Sequence, residues 1–188
     1  MDEKTIEKVT AFVRPLYQDL DGASRLDQID RIAAIARLFH RPETEDGETH
    51  FELLLRFQGL QKWLEKIGNF SRTTLALRGV VKEEAIGEVL RSLRRAETPE
   101  SPAERALAAA RLIEESGAHG LALRLSSARR EGSSIAELAR DVLANETTPP
   151  EWMSHEARSL LATRRARAKQ FCEEVLSELD NEDCRSPE

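Results

Sequence analysis

RLIEESGAHGLALRL, residues Arg111–Leu125, is the stretch whose reading decides the rest. Small residues Ala106–Ala110 lead into Leu112 and Ile113, the pattern stops at Gly117-Ala118-His119-Gly120, and apolar residues resume at Leu121, Leu123 and Leu125. One helix ends there and another begins. Upstream, Ser101-Pro102-Ala103-Glu104 joins an N-cap serine, a proline at the first helical position and an acid at the third, a strong start signal for the first of these helices. Downstream, Gly132 stops the second helix and Ser133-Ser134 can cap another reaching about Ala144.

The flanking sequence repeats this grammar. Ile6, Val9, Phe12, Val13 and Leu16 give an amphipathic helix from Asp2 to about Leu20, which Pro15 should bend or end early. Asp21-Gly22 breaks it, and Ser24 with Asp27 opens a second helix to about His40. Its Ile29, Ile32, Ala33, Ile35, Ala36 and Phe39 cover more than one face, so a central position is expected. Arg41–Glu48 reads as a loop. A third, strongly apolar helix is expected from Phe51 to Ile67, stopped by Gly68-Asn69, then helices over Ser71–Arg78 and from Lys82 to about Ala96. After a linker at Asn145–Pro150, a long helix from Ser154 to about Asp180 carries Leu160, Leu161, Phe171, Cys172, Val175, Leu176 and Leu179 as its apolar seam. Asn181–Glu188 is a polar tail, expected to be disordered.

Composition agrees with this reading. Ala, Leu, Glu and Arg dominate, and no strand-like alternation stands out, so an all-α bundle of about eight to nine helices is expected, as one domain over residues 1–180. No apolar run approaches the roughly 18–20 residues of a membrane span, and the N-terminus is charged, so a cytoplasmic protein without a membrane partner is expected. The net charge of −6 argues against non-specific nucleic-acid binding. Cys172 and Cys184 with four scattered histidines offer neither a disulfide framework nor a zinc set.

Taken in order, these segments resemble the small bacterial HD-domain metal-dependent phosphohydrolases, over most of the chain up to about Asp180. Gly117-Ala118, Gly120 and Leu121-Ala122 match the end of that family's last metal-binding segment, and Ser154, Ala157, Leu160, Arg164 and Phe171 fall at its final-helix intervals. The resemblance implies a compact helical fold with a long C-terminal helix. Its metal ligands, however, are replaced. Gln28 stands three residues before Arg31 where the family has a His. Leu55-Arg56-Phe57-Gln58-Gly59 holds neither His nor Asp. Arg91 and Ala96 are the nearest residues to the next histidine positions, and Ala108–Arg111 occupies the acidic run. Alanine and phenylalanine cannot ligate a metal, and arginine repels one.

The resemblance therefore implies a protein without catalytic residues or a metal cofactor. Gln28, Arg31, Arg56, Arg91 and Arg111 become candidates for an anion pocket that binds a nucleotide or other phosphorylated small molecule. Against it stands simple pairing of these arginines with acids such as Asp27, Asp30, Glu84, Glu88, Glu114 or Glu115. Two alternatives remain open: an active phosphohydrolase with rearranged ligands such as His40, His50 and His119, or a helical protein whose task is a homodimer or a protein partner. Taken singly, His40 and His50 read as surface residues, and His119 as a buried or half-buried histidine bonded to backbone. Arg164-Arg165-Ala166-Arg167 with Lys169, and Arg124 with Arg129 and Arg130, form basic patches that read as solvated helix faces. Ser126-Ser127 and Ser133-Ser134 lack a nucleophile elbow or a paired His.

Overall fold

The computed structural model describes residues 1–21, 23–132, 134–145 and 147–183, without the side chains of 18–25, 126–131 and 181–183. Gly22, the capping side chain of Ser24, Ser133, the side chains of Ser126, Ser127, Arg129 and Arg130, and Cys184 with the rest of the tail lie outside the described residues. All regular structure among the described residues is α-helical. Among the described residues there are ten helices: α1 Glu3–Asp21, α2 Ala23–Phe39, α3 Glu45–Phe57, α4 Gln61–Leu64, α5 Asn69–Ala76, α6 Glu83–Arg94, α7 Pro102–Glu115, α8 Ala118–Glu131, α9 Ile135–Ala144 and α10 His155–Asp183. They divide into two compact units, Met1–Ala110 and a second that begins at Arg111.

In the first unit α3 is the central element, touching α1, α2 and α6. It buries Phe51, Leu53, Leu54, Leu55 and Phe57. Helix α2 is not central as expected. It buries Ile32, Ala33, Ile35 and Ala36 but turns Asp30, Ala34, Arg37 and Leu38 to solvent. Helix α1 runs through Pro15 without ending. Val9, Val13 and Tyr17, four residues apart, are buried on one face, whereas Ala11 and Pro15 lie on the exposed face. The carbonyl that proline leaves without an amide therefore stays open to water, and burial of the opposite face outweighs the roughly 3 kcal/mol cost of an interior proline.

The expected helix from Phe51 to Ile67 is two helices, shifted toward the N-terminus. Helix α3 begins inside the expected loop because the Thr44 side chain accepts the Gly47 N–H at 3.1 Å, and Glu45, Asp46 and Glu48 fill the first turn. It ends at Phe57 because its last carbonyls are taken by side chains. The Tyr17 hydroxyl donates to the Arg56 carbonyl at 2.6 Å, and the buried Gln58 amide donates to the Leu55 carbonyl at 3.0 Å. Gly59 then donates its N–H back to the Tyr17 oxygen at 3.3 Å, and a Cβ there would sit 3.0 Å from the tyrosine ring. The chain turns where Tyr17 presses against it.

The second unit holds the end of α7, then α8, α9 and α10. Helix α10 touches both α8 and α9. Leu121, Ala139, Ala168 and Cys172 form its core, with Leu125, Leu138, Val142, Leu143 and Leu176 packed around them. The expected seam of α10 is corrected in part: Ala157, Leu161, Ala168 and Cys172 face inward, while Phe171 and Leu179 are exposed. Small residues fill the seam because α8 and α9 both lie against this helix. The serine caps behave as expected. Ser134 and Glu137 make a reciprocal capping box at α9, and Ser154 accepts the Ala157 N–H at 3.2 Å.

Candidate functional site

The central turn is tighter than its glycine content alone requires. A Cβ on Gly120 would overlap the Glu115 carbonyl oxygen, so no residue with a side chain fits without moving backbone. Gly117 is buried beneath Arg164, whose Cδ would be 3.1 Å from a Cβ there. This close passage brings Glu114, His119 and Arg164 together. Glu114 is fully buried, with Oε1 3.0 Å from His119 Nδ1 and Oε2 3.2 Å from Arg164 Nη1. His119 is half-buried as expected, and its Nδ1 meets this carboxylate. A glutamate just before a glycine turn and a histidine within it were a legible signal for the pair.

A second buried polar group belongs to the first unit. Ser92 Oγ lies 3.3 Å from His50 Nε2. Glu104, whose side chain is 2% exposed, is gripped by the Arg95 guanidinium and accepts the Glu100 and Ser101 N–H groups at 2.7 and 3.1 Å. Burial alone would raise the Glu104 carboxyl, but Arg95, Ser92 and the two backbone amides outweigh it and hold it at about 2. Burial pushes His50 below its ordinary value, with Glu88 and Glu104 opposing and Arg95 assisting. The serine has no histidine aligned with an acid behind it, so the geometry is that of a cap and strut rather than a nucleophile and base.

Two of the residues expected to bind an anion, Arg56 and Arg91, have acid neighbours. Gln28 and Arg31 are half-buried on α2, and Arg111 is half-buried where the second unit begins. Arg56 Nη2 lies 3.4 Å from Glu52, which Arg37 also holds through two bonds of 2.9 and 2.8 Å. Burial lowers the Arg56 guanidinium, against the pull of Glu52. Arg91 is 62% exposed and lies 3.9 Å from Glu88, one of the acids named for it from sequence. His40 stands edge-on to Phe51 with ring centres 4.8 Å apart, so His40, His50 and His119 each have a different neighbour. Among the described residues no three His, Cys, Asp or Glu side chains gather as a metal site would require.

The cations that do surround a cavity are others. A cavity of about 280 Å³ in the second unit is lined by Arg124, Arg165 and Lys169, with Ser116, Asn145 and Thr147 as neutral polar groups. Leu112, Leu121, Val142 and Ala168, one from each helix of the unit, supply the apolar wall, and Glu115 is the one acid among the described lining residues. Arg165 is fixed by donating to the Thr147 carbonyl and, at 2.8 Å, to its hydroxyl. Arg124 is held by Asp141 at 2.8 Å. The two basic patches that read as solvated faces thus contribute to one concavity, because α8 and α10 are neighbours; the spacing within either helix carries no sign of this. A larger, open concavity of about 750 Å³ in the first unit is formed by the Ser71–Glu83 segment with Arg78 and Lys82. Gln28, Arg31, Arg56, Arg91 and Arg111 line neither.

No family model matches this sequence, and no curated protein matches it. No helix among the described residues is long and apolar enough to cross a membrane.

Proposed function

We propose that this chain is a non-catalytic binding protein that holds a small anionic ligand without hydrolysing it. The observation that carries this reading is the cavity of the second unit, where three cations from two helices surround an aliphatic wall. The replaced ligand positions at Gln28, Arg56, Arg91 and Ala108–Arg111 support the absence of metal chemistry, on the resemblance to HD phosphohydrolases. That resemblance suggests a phosphorylated small molecule or a nucleotide as ligand, in a cytoplasmic protein. The site proposed here differs from the arginines first singled out, since Arg56 is engaged by Glu52 and Arg91 is largely in solvent.

Elemental analysis of freshly purified protein, with thermal shift against nucleotides, sugar phosphates and small organic acids, tests the reading. Metal-free protein whose melting temperature rises with an anion supports it. One or two metal ions per chain with phosphatase activity refutes it in favour of an enzyme using rearranged ligands. Ile67 and Leu75, both strongly exposed in the first unit, favour a second reading, a partner or homodimer contact. Light scattering that finds a monomer at all concentrations removes the homodimer.

A further inference from the structure

Resting on that reading of the cavity, we infer that its ligand is a compact aliphatic anion, a short-chain carboxylate, rather than a nucleotide. Three properties of the lining lead there. Size comes first: about 280 Å³ lies at the small end of ligand cavities, which run from roughly 300 to 1,000 Å³, so a nucleoside polyphosphate would not be enclosed. The second is the wall. Among the described residues no aromatic side chain lines the cavity, so a nucleobase would find nothing there to stack upon, whereas Leu112, Leu121, Val142 and Ala168 offer a hydrocarbon surface. Leu121 and Ala168 also belong to the core of the unit, so an alkyl chain placed there would extend that core outward.

Charge is the third. Arg124, Arg165 and Lys169 line the cavity with one carboxylate among the described residues, Glu115, and Arg124 is further matched by Asp141. Among the described lining residues cations outnumber acids, which suits an anion. Arg165 is the anchor that the geometry favours. Its guanidinium is held from one side by the Thr147 carbonyl and hydroxyl, so little side-chain entropy remains to be lost when the rest of its fork meets a carboxylate. Lys169, one helical turn further along α10, adds a second cation on the same face. Headgroup recognition and an aliphatic wall occupy the same small space.

Calorimetry on the full chain with butanoate, hexanoate, inorganic phosphate and AMP as probes tests this. Methyl NMR of Val142 and Leu121 reports where each probe sits. The expected result is one hexanoate per chain, at least tenfold tighter than phosphate or AMP. Affinity should rise about two- to fourfold per methylene from butanoate to hexanoate as the chain is buried. Arg165→Gln should weaken hexanoate tenfold or more, and Lys169→Gln should weaken it less; both replace polar side chains outside the core, and circular dichroism verifies that each variant folds. AMP or phosphate binding as tightly as hexanoate, shifting the same methyls and weakened by Arg165→Gln, overturns the inference while leaving the anion-binding function intact. Hexanoate binding that moves neither methyl, or that both variants leave unchanged, places the ligand elsewhere and also overturns it. Failure of every anion in a wide panel removes both the inference and the proposed function.

Discussion

Replacing Glu104 by glutamine separates the electrostatic part of the α7 cap from its shape. The carboxylate stands at the third position of the helix, returns to the Ser101 N–H at 3.1 Å, takes the Glu100 N–H at 2.7 Å and holds Arg95. Glutamine keeps one acceptor oxygen but loses the charge that unites these donors. The fall from an ordinary 4.5 to about 2, at about 1.4 kcal/mol per tenfold, sets a ceiling of roughly 3 kcal/mol. Arg95 is 36% exposed, and screening by water lowers the expected loss to about 2 kcal/mol at neutral pH. Because the folded-state value is depressed, this stability is fully present above pH 4.5 and disappears as the pH falls toward 2. Urea unfolding followed by fluorescence is the assay, in a Trp152→Phe background so that Trp63 reports on the first unit alone. The gap between Glu104 and Glu104→Gln proteins should narrow steadily below pH 4.5. A gap under about 0.5 kcal/mol at pH 7, or one that does not change with pH, refutes this account of the cap.

Other outcomes follow from the same geometry. Gly120→Ala should cost about 3 kcal/mol or more and unfold the second unit, since its Cβ would meet the Glu115 carbonyl, whereas Gly68→Ala, at φ +82° with open space around it, should cost about 1 kcal/mol; thermal melts of both compare them. Tyr17→Phe removes the hydroxyl that caps the Arg56 carbonyl and should lose about 1–2 kcal/mol without changing the fold, read by urea midpoint at constant slope. NMR titration should find His50 protonating below the ordinary 6.5. The unfolded chain therefore takes up this proton first, and stability should decline as the pH falls below 6.5, a slope that His50→Asn reduces.

What the sequence made legible were features that a few neighbouring residues determine. Ser101, Ser134 and Ser154 cap helices, and Gly68, Gly79 and Gly132 adopt positive φ where helical runs were expected to stop. Thr44 followed by three acids within the next four residues was an equally good start signal, hidden by the surrounding polar loop composition. Features that depend on distant contacts were not legible. Nothing around Gln58 announces that Tyr17 takes the Arg56 carbonyl at the end of α3, and nothing around Pro15 announces that its face lies in water. Phe171 reads as a core residue, yet Ala168 and Cys172 leave room for the neighbouring helices and the larger ring stays outside. The candidate cavity belongs to this second class. Arg124 comes from α8 and Arg165 and Lys169 from α10, and only the packing of those helices makes them one surface.

Gly120 has a consequence for genetics. Every single-base change of a glycine codon that alters the amino acid introduces a Cβ or stops translation, and each such Cβ would press on the Glu115 carbonyl. In a saturation screen for function, position 120 will score as indispensable, with the same profile as a residue that touches a substrate. That score would follow from how closely the Gly120 and Glu115 backbones pass. The residues proposed to bind the ligand should have the opposite signature, with Arg165→Gln and Lys169→Gln expected to keep the fold. In this chain intolerance to mutation will trace the turn, and the site must be sought among positions that tolerate change in the absence of ligand.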